Sequence, residues 1–176
     1  MFKDFDTKPF KKKKPPVDSG YTTRTEINEL KKIPLNKSFV KKNDNIEAAF
    51  KKTAEDNNIK DYDKNIAAKL IKDSAPVILE LKKYHNRPRP YELDKNLKHF
   101  KMKSMETASY PSGHSVQGIL VAKVLGDKHP KAKSAFAKTG KNISYSRRVA
   151  HAHYKSDSKM GEKLGNSMYK HIKNKI

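Results

Sequence analysis

Apolar residues recur at three- and four-residue spacings from about residue 27 to the C-terminus, and no stretch shows sustained two-residue alternation rich in β-branched residues. The first pattern places apolar side chains on one face of an α-helix, whereas a half-buried strand needs the second. A chain of 176 residues is long enough for one domain with a substantial core. The sequence therefore predicts an all-α fold, a compact multi-helix bundle.

Capping residues and prolines divide this pattern into separate helices. The predicted helices are a segment with Ile27, Leu30 and Ile33; a segment capped by Asp44 that carries Ile46 and Phe50; one started by Asp61 or Asp63; one restarted at Ser74-Ala75-Pro76 that ends near His85; one capped by Ser112 and ended by Gly126-Asp127 and Pro130; and C-terminal helices near 131–138, 142–153 and 158–174.

Residues 1–24, the N-terminal arm, have a different composition. The arm contains Lys11 to Lys14, followed by Pro15-Pro16, and few large aliphatic residues. Such a composition buries too little apolar surface to offset the entropy of ordering. We therefore expect a disordered basic arm at residues 1–24 and a helical domain at residues 25–176.

The formal net charge is +21 and the pI is near 9.9, which favours polyanionic or phosphorylated partners. A basic nucleic-acid-binding protein without catalysis is one hypothesis, and weak polyanion binding through the arm is another. A base-stacking platform requires aromatic residues interleaved with the basic ones, and the lysine run does not have them. The chain contains no cysteine, so neither disulfides nor cysteine metal sites contribute.

The first residues, Met1 to Asp6, do not form the apolar run of a secretory signal. No window approaches the roughly 18–20 apolar residues that a membrane-spanning helix needs. We therefore expect a cytoplasmic protein without a membrane span.

Three short blocks carry candidate chemistry. Lys82 and Arg89 are seven residues apart, and Pro90 follows, so Arg89 is expected on a rigid extended segment after a helix. Arginine binds phosphate oxygens through two parallel hydrogen bonds, whereas lysine acts as a point charge. Ser112 and Gly113 are expected at a helix N-terminus, where free N–H groups favour an anion.

The third block places His153 four residues before Asp157, so that a carboxylate can fix the tautomer of an imidazole. The second ring nitrogen would then be free to act as a nucleophile or base. Arg147 and His151 have the same spacing, so His151 competes with His153 on spacing alone. His151 and His153 would lie on different sides of a helix, and no metal ligand set is expected.

Taken together, the three blocks resemble the signature of the type 2 phosphatidic acid phosphatase superfamily. This superfamily includes class A bacterial non-specific acid phosphatases and vanadium haloperoxidases. All signature positions are matched, in order: Lys82, Arg89, Pro90, Pro111, Ser112, Gly113, His114, Ser146, Arg147, His153 and Asp157. The resemblance favours His153 over His151, because His151 is not a signature position.

The resemblance implies a metal-independent phosphatase that needs no cofactor and works through a phosphohistidine. His153 would attack phosphorus, His114 would protonate the leaving group, and Asp157 would orient His153. The phosphate would be bound by Lys82, Arg89, Ser112, Gly113 and Arg147. The expected fold is the helical bundle of this family, and a homodimer is an expectation that rests on the resemblance alone.

The expected partner is a small phosphorylated substrate, a phosphomonoester or diphosphate. A vanadate-dependent haloperoxidase is the alternative enzyme, because vanadate imitates the geometry of phosphate in transfer. The chain is shorter than typical haloperoxidases, which favours a phosphatase.

Overall fold

The computed structural model describes residues 1–175, and within that range it contains helices and no strand. The predicted all-α bundle is therefore confirmed, with Ile176 of the predicted domain lying outside the described residues. The helices are α1 (Lys8–Lys11), α2 (Tyr21–Lys31), α3 (Lys37–Asp44), α4 (Ile46–Asp56), α5 (Lys64–His85), α6 (Pro90–Leu93), α7 (Gly113–Lys128), α8 (Lys133–Val149) and α9 (Lys155–Ile172), with 3₁₀ turns at Lys103–Glu106 and Pro130–Ala132. None of the helices in residues 1–175 is both long and apolar enough to cross a bilayer.

Helix α7 lies at the centre of the bundle, where it packs against α5, α8 and α9. Most of its side chains are apolar and buried on all sides, including the fully buried Val116 and Leu120. Glycines bring the neighbouring helices unusually close to it. A Cβ atom on Gly140 of α8 would lie 2.6 Å from the carbonyl oxygen of Gly118, and one on Gly161 of α9 would lie 2.5 Å from that of Ser112.

The ends of four helices meet on one side of the bundle. Ser112 caps α7 by accepting a hydrogen bond from Ser115 N, as the sequence predicts. The Ser112 N–H donates to the Asp157 carbonyl in the first turn of α9, at 3.1 Å, and so joins the two helix starts. The segments that follow α5 and α8 complete this side, which contains the three sequence blocks.

Two predicted helix boundaries are wrong. The helix does not restart at Ser74, because α5 runs without interruption through Pro76. In the turn before Pro76, the carbonyl of Ile71 accepts hydrogen bonds from Ser74 Oγ and from Gln117 Nε2 of α7. The predicted helices at 131–138 and 142–153 are instead the single helix α8, because Gly140 is retained there by its contact with α7.

The predicted capping role of Asp44 is also wrong. Asp44 is the last residue of α3, and Asn45 caps α4 by accepting a hydrogen bond from Ala48 N at 3.0 Å. The carboxylate of Asp44 is therefore free to face the side of the bundle that contains the three sequence blocks.

The prediction of a disordered N-terminal arm is wrong as well. Phe2 and Phe10 are buried in the main core, and Phe5 packs against it. Lys11 pairs with Glu80 at 2.5 Å, and Tyr110 Oη donates to the Lys13 carbonyl at 2.9 Å. The arm has few aliphatic residues, but its three phenylalanines supply enough apolar surface to fix it on α5 and α9.

Replacing Phe10 by alanine is therefore expected to lower the free energy of unfolding by about 3 kcal/mol, since it empties a buried aromatic position. Val17→Ala is the control within the arm, because Val17 is 72% exposed and its replacement should change little. Both changes are measured by urea unfolding followed by circular dichroism. Equal and negligible effects would contradict the packed arm.

Candidate active site

A buried histidine–aspartate pair lies between α8 and α9. His153 is in the loop before α9, and Asp157 is in the first turn of that helix. His153 Nδ1 lies 3.0 Å from Asp157 Oδ2, and both side chains are at most 5% exposed. The predicted pairing is thus present in the structure, although only Asp157 is helical, because α8 ends at Val149.

Asp157 is held by several donors besides His153. Its Oδ2 accepts from Ser109 Oγ and from Tyr154 N, and its Oδ1 accepts from Arg87 Nη1 at 2.7 Å. Burial alone would raise the pKa of this carboxyl group. The His153 hydrogen bond and the Arg87 charge outweigh burial and lower the pKa to about 2, so Asp157 is ionised at ordinary pH.

The second ring nitrogen of His153 faces a cation. Arg89 Nη1 lies 2.9 Å from His153 Nε2, and because guanidinium can only donate, Nε2 must be the acceptor. Nδ1 therefore carries the proton that Asp157 accepts, and Nε2 presents a lone pair. Burial, with the nearby Arg89 charge, lowers the pKa of His153 well below its ordinary value and keeps the ring neutral.

Arg89 is fixed by backbone carbonyls. Its Nε donates to Thr107, its Nη1 to Ala152 and its Nη2 to Ser104 and Thr107, at 2.9–3.0 Å. Arg89 lies in the extended segment before α6, as the Arg-Pro sequence predicts. The fully buried guanidinium is therefore held rigidly beside the His153 lone pair.

Lys82 and Arg147 are buried on the same side of the bundle. Lys82 Nζ donates to the Ala108 carbonyl at 2.5 Å, and Arg147 Nη1 donates to Asp44 Oδ1 at 2.8 Å. Burial, together with the charge of Arg89, lowers the pKa of Lys82 to about 7. Lys82, Arg89 and Arg147 form what we call the cation cluster.

The cations of the cluster are close together, and one of their donors has no partner among the described residues. Burial lowers the pKa of Arg89, and the Arg147 charge adds to that effect, as expected for like charges that are close together. Arg147 Nη2 is buried and finds no acceptor among residues 1–175. An anion between these cations would satisfy that donor and relieve their repulsion.

Ser112 and Gly113 lie beside the cluster at the start of α7. A Cβ atom on Gly113 would lie 3.9 Å from Lys82 Cε, which shows how closely the backbone approaches Lys82. The Ser112 hydroxyl accepts hydrogen bonds from Ser115 N and Ser115 Oγ, so its own proton remains available to donate.

His114 is in the first turn of α7 and contacts the last residue of α3. Its Nε2 lies 3.0 Å from the Asp44 carbonyl oxygen and 3.5 Å from Asp44 Oδ1. Burial lowers the pKa of His114, and Asp44 opposes that shift. The same carboxylate binds Arg147, so Asp44 links His114 to the cation cluster, and its own pKa is lowered to about 2 by His114 and Arg147.

His151, which competes with His153 on spacing, faces away from this site. Its Nδ1 lies 2.7 Å from the Lys98 carbonyl oxygen, and its Nε2 lies 2.8 Å from that of Ile33. The ring joins three chain segments, and its backbone has a φ of 55°, which is uncommon for a residue with a side chain. These contacts indicate a structural role for His151.

Sequence reasoning missed three residues that shape the site: Asp44, Arg87 and Ser109. Arg87 stands two residues before Arg89, and that repeated Arg-Pro was the available signal. Asp44 is 103 residues from Arg147, and no local pattern marks such a pair. Ser109 binds Asp157 across 48 residues and is similarly unmarked.

Within residues 1–175 no group of three or more histidine, aspartate or glutamate side chains is arranged to hold a metal ion.

A cavity of about 250 Å³ lies next to the cation cluster, lined by Tyr91, His99, Lys101, Met102, Met105 and Glu106. Met102 joins the cavity to the cluster, because its Sδ lies 3.5 Å from Arg147 Nη1.

The fold and site define an all-helical protein in which a histidine–aspartate pair faces a buried cluster of cations. No family model matches the chain. The non-specific acid phosphatase of Salmonella typhimurium is 33% identical to the chain over 93 residues, and that of Salmonella typhi is 34% identical over 93 residues. Each alignment covers 48% of this chain and 35% of the relative, so the chain matches about a third of the length of these relatives. The similarity supports a distant acid phosphatase relationship.

Replacing Asp44 by asparagine is expected to lower the pKa of His114 further, because the neighbouring negative charge favours the imidazolium. NMR titration of the His114 ring protons measures this shift without reference to activity. Asp56→Asn is the control, since Asp56 is exposed on α4 and pairs with Lys52. An unchanged His114 titration in the Asp44 variant would contradict the described contact.

Proposed function

We propose that the chain is a phosphatase that hydrolyses small phosphomonoesters through a phosphohistidine at His153. The observation that carries this proposal is the tautomer of His153, that is, which of its two ring nitrogens carries the proton. Asp157 holds the proton on Nδ1, and the Nε2 lone pair points at a cation cluster whose Arg147 Nη2 has no acceptor among the described residues. The distant similarity to non-specific acid phosphatases supports a phosphatase activity in general.

In the first step, His153 Nε2 attacks phosphorus in line with the ester oxygen. The new N–P bond forms as the P–O bond to the leaving alcohol breaks, and protonated His114 gives its proton to that oxygen. His153 carries a positive charge in the intermediate, and ionised Asp157 on Nδ1 stabilises it. Arg89, which contacts Nε2 in the structure, would transfer its hydrogen bond from nitrogen to a phosphate oxygen.

In the second step, water attacks the phosphohistidine. Neutral His114 takes a proton from the water as the P–N bond breaks, and inorganic phosphate is released with His153 neutral again. Lys82, Arg89 and Arg147, with Ser112 and the Gly113 N–H, would stabilise the equatorial oxygens in both steps. Three fixed cations can supply the electrostatic stabilisation that metal ions give in other phosphoryl-transfer enzymes, and we propose that no metal is needed.

The pKa values of the two histidines favour this division of roles. His153 is buried beside Arg89, and both effects lower its pKa well below the ordinary value, which favours the neutral, nucleophilic ring. Burial lowers the pKa of His114 as well, but Asp44 beside it opposes that shift. The cation beside His153 and the carboxylate beside His114 act on the two pKa values in opposite directions, which suits opposite roles in one reaction.

The leaving group would lie on the side of His114, away from His153. The cavity next to Met102 is on the Arg147 side of the cluster, and its lining combines two adaptable methionines and the Tyr91 ring with polar and charged side chains. This lining supports small phosphomonoesters of varied structure as the substrate class.

His153→Ala is expected to lower the turnover of p-nitrophenyl phosphate by at least ~10³-fold, since it removes the nucleophile. The wild-type protein should keep its activity in EDTA and should form an acid-labile, alkali-stable phosphoprotein when quenched in mid-reaction. His171→Ala is the control, because His171 binds Asp4 far from the site. Undiminished turnover in the His153 variant would disprove the mechanism.

The pH dependence of kcat/KM tests Lys82. The pKa of Lys82 is about 7, so its charged form is present below pH 7 and is lost above it. The pKa of His114 is lowered from its ordinary value, so His114 has also lost its proton above pH 7, and log(kcat/KM) should fall there with a slope of about −2. Lys82→Arg keeps its charge, and its slope should be about −1.

Lys83→Arg is the matched control for this experiment, because Lys83 is the exposed neighbour of Lys82. It should retain the wild-type slope. A Lys82→Arg profile identical to the wild-type profile would show that Lys82 does not titrate in this range.

A further inference from the structure

We propose that Arg87 is a positioning residue of the proposed phosphatase site, which fixes ionised Asp157 in the orientation that His153 requires. This inference rests on the proposed function and adds a residue that is not one of the signature positions. Arg87 follows the left-handed Asn86 at the end of α5, and its side chain is fully buried.

The two oxygens of Asp157 have separate partners. Oδ1 accepts from Arg87 Nη1 at 2.7 Å, whereas Oδ2 accepts from His153 Nδ1 at 3.0 Å. Because one oxygen is held by Arg87, the carboxylate cannot rotate without breaking a charged, buried hydrogen bond. Oδ2 is therefore kept in line with the imidazole.

Arg87 also acts on Asp157 through its backbone. The Arg87 carbonyl accepts from Ser109 N at 2.9 Å, and Ser109 Oγ donates to Asp157 Oδ2. Arg87 thus supplies one donor to the Asp157 carboxylate and positions a second donor, Ser109.

The guanidinium group of Arg87 is also held by contacts with residues other than Asp157. Nη1 also donates to Ser156 Oγ at 2.7 Å, Nη2 donates to Thr23 Oγ1 at 3.3 Å, and the Tyr154 ring lies 3.6 Å from Arg87 Cζ. Glu26 Oε2 lies 3.7 Å from Nη2 and accepts from Ser156 Oγ at 2.6 Å. These contacts leave Arg87 little freedom to leave Asp157.

The positive charge of Arg87 has a chemical consequence. In the proposed intermediate His153 is cationic, and Asp157 could take the Nδ1 proton if its basicity were high enough. Arg87 lowers the basicity of Asp157, so the proton stays on Nδ1 and the imidazolium remains a good leaving group when water attacks.

The other charged groups near Asp157 cannot replace Arg87. His153 faces it from the loop before α9, Lys82 faces it from α5, and Arg89 faces it from the segment before α6; the phenols of Tyr110 and Tyr154 add to the surroundings. Lys82 and Arg89 are directed to the phosphate side, where their hydrogen bonds go to Ala108 and to the groups around His153. Among the described residues, Arg87 is the only cation that donates a hydrogen bond to Asp157 Oδ1.

Arg87 also joins α2 to α9, so a purely structural role is the competing explanation. The test compares Arg87→Met, which removes the charge, with Arg87→Lys, which keeps it. Arg24→Met is the control, because Arg24 is an exposed arginine on α2 whose side chain donates to the Ser19 carbonyl. Thermal unfolding establishes the folded fraction of each variant, and rates are given per folded molecule.

The first readout is p-nitrophenyl phosphate hydrolysis between pH 4 and pH 8. Arg87→Met should lose about 10- to 100-fold in kcat, as is typical when a partner of a site ligand is removed, with KM changed by less than about twofold. Its kcat should also fall at acid pH where the wild type does not, because Asp157 without Arg87 protonates more easily. Arg87→Lys should recover most of kcat, and Arg24→Met should match the wild type.

The second readout is the ¹⁵N NMR spectrum of the His153 ring, which does not depend on activity. The wild type should show a neutral ring protonated at Nδ1, and Arg87→Met should show a mixed tautomer and a changed titration. If the wild type proves inactive, the proposed function fails, and this spectrum still decides the role of Arg87.

The inference is overturned if folded Arg87→Met retains the wild-type kcat, pH profile and His153 spectrum. If Arg87→Met does not fold, Arg87→Lys decides. A wild-type tautomer and most of the wild-type kcat in that variant would support the proposal, and a lower kcat or an altered tautomer would overturn it.

Discussion

The buried, ionised carboxylate of Asp157 is the interaction on which the rest of this side of the molecule depends. A carboxylate without exposure to water is strongly destabilising unless charged or N–H donors surround it. Here His153, Ser109, Tyr154 N and Arg87 all donate to it, and they come from three separate parts of the chain. Meeting this one requirement brings together the segment after α5, the segment before α7 and the start of α9. The position of the His153 ring follows from it.

The cation cluster is the counterpart of that carboxylate. Lys82, Arg89 and Arg147 are all buried, although burial disfavours each charge. Asp44 compensates Arg147, and backbone carbonyls hold Arg89 and Lys82 in place. The helix packing around α7 makes this arrangement rigid, because the glycines of α8 and α9 allow very close contact. A rigid cluster of like charges is stabilised by a bound anion, and this links the packing to the proposed chemistry.

Local sequence signals predicted the elements around the site well. Ser112 and Asp63 cap α7 and α5, and Arg89 lies on the extended segment that its proline requires. Signals failed where a distant contact outweighed a local preference. Pro76 remains inside α5, where Gln117 of α7 binds the Ile71 carbonyl in the preceding turn, and Gly140 remains inside α8, where it lies against Gly118 of α7. The three phenylalanines of the N-terminal arm outweighed its lysines and prolines for the same reason.

The sequence by itself determined the helical class of the fold, the main caps and the order of the three blocks, because these depend on periodicity and on neighbouring residues. It also placed His153 close enough to Asp157 to pair with it. Only the tertiary structure decided which ring nitrogen is free, which charges compensate the buried cations, and that Asp44, Arg87 and Ser109 belong to the site. Those features depend on contacts between residues up to 103 positions apart. Burial and charge act through space, and the spacing of residues along the chain does not record them.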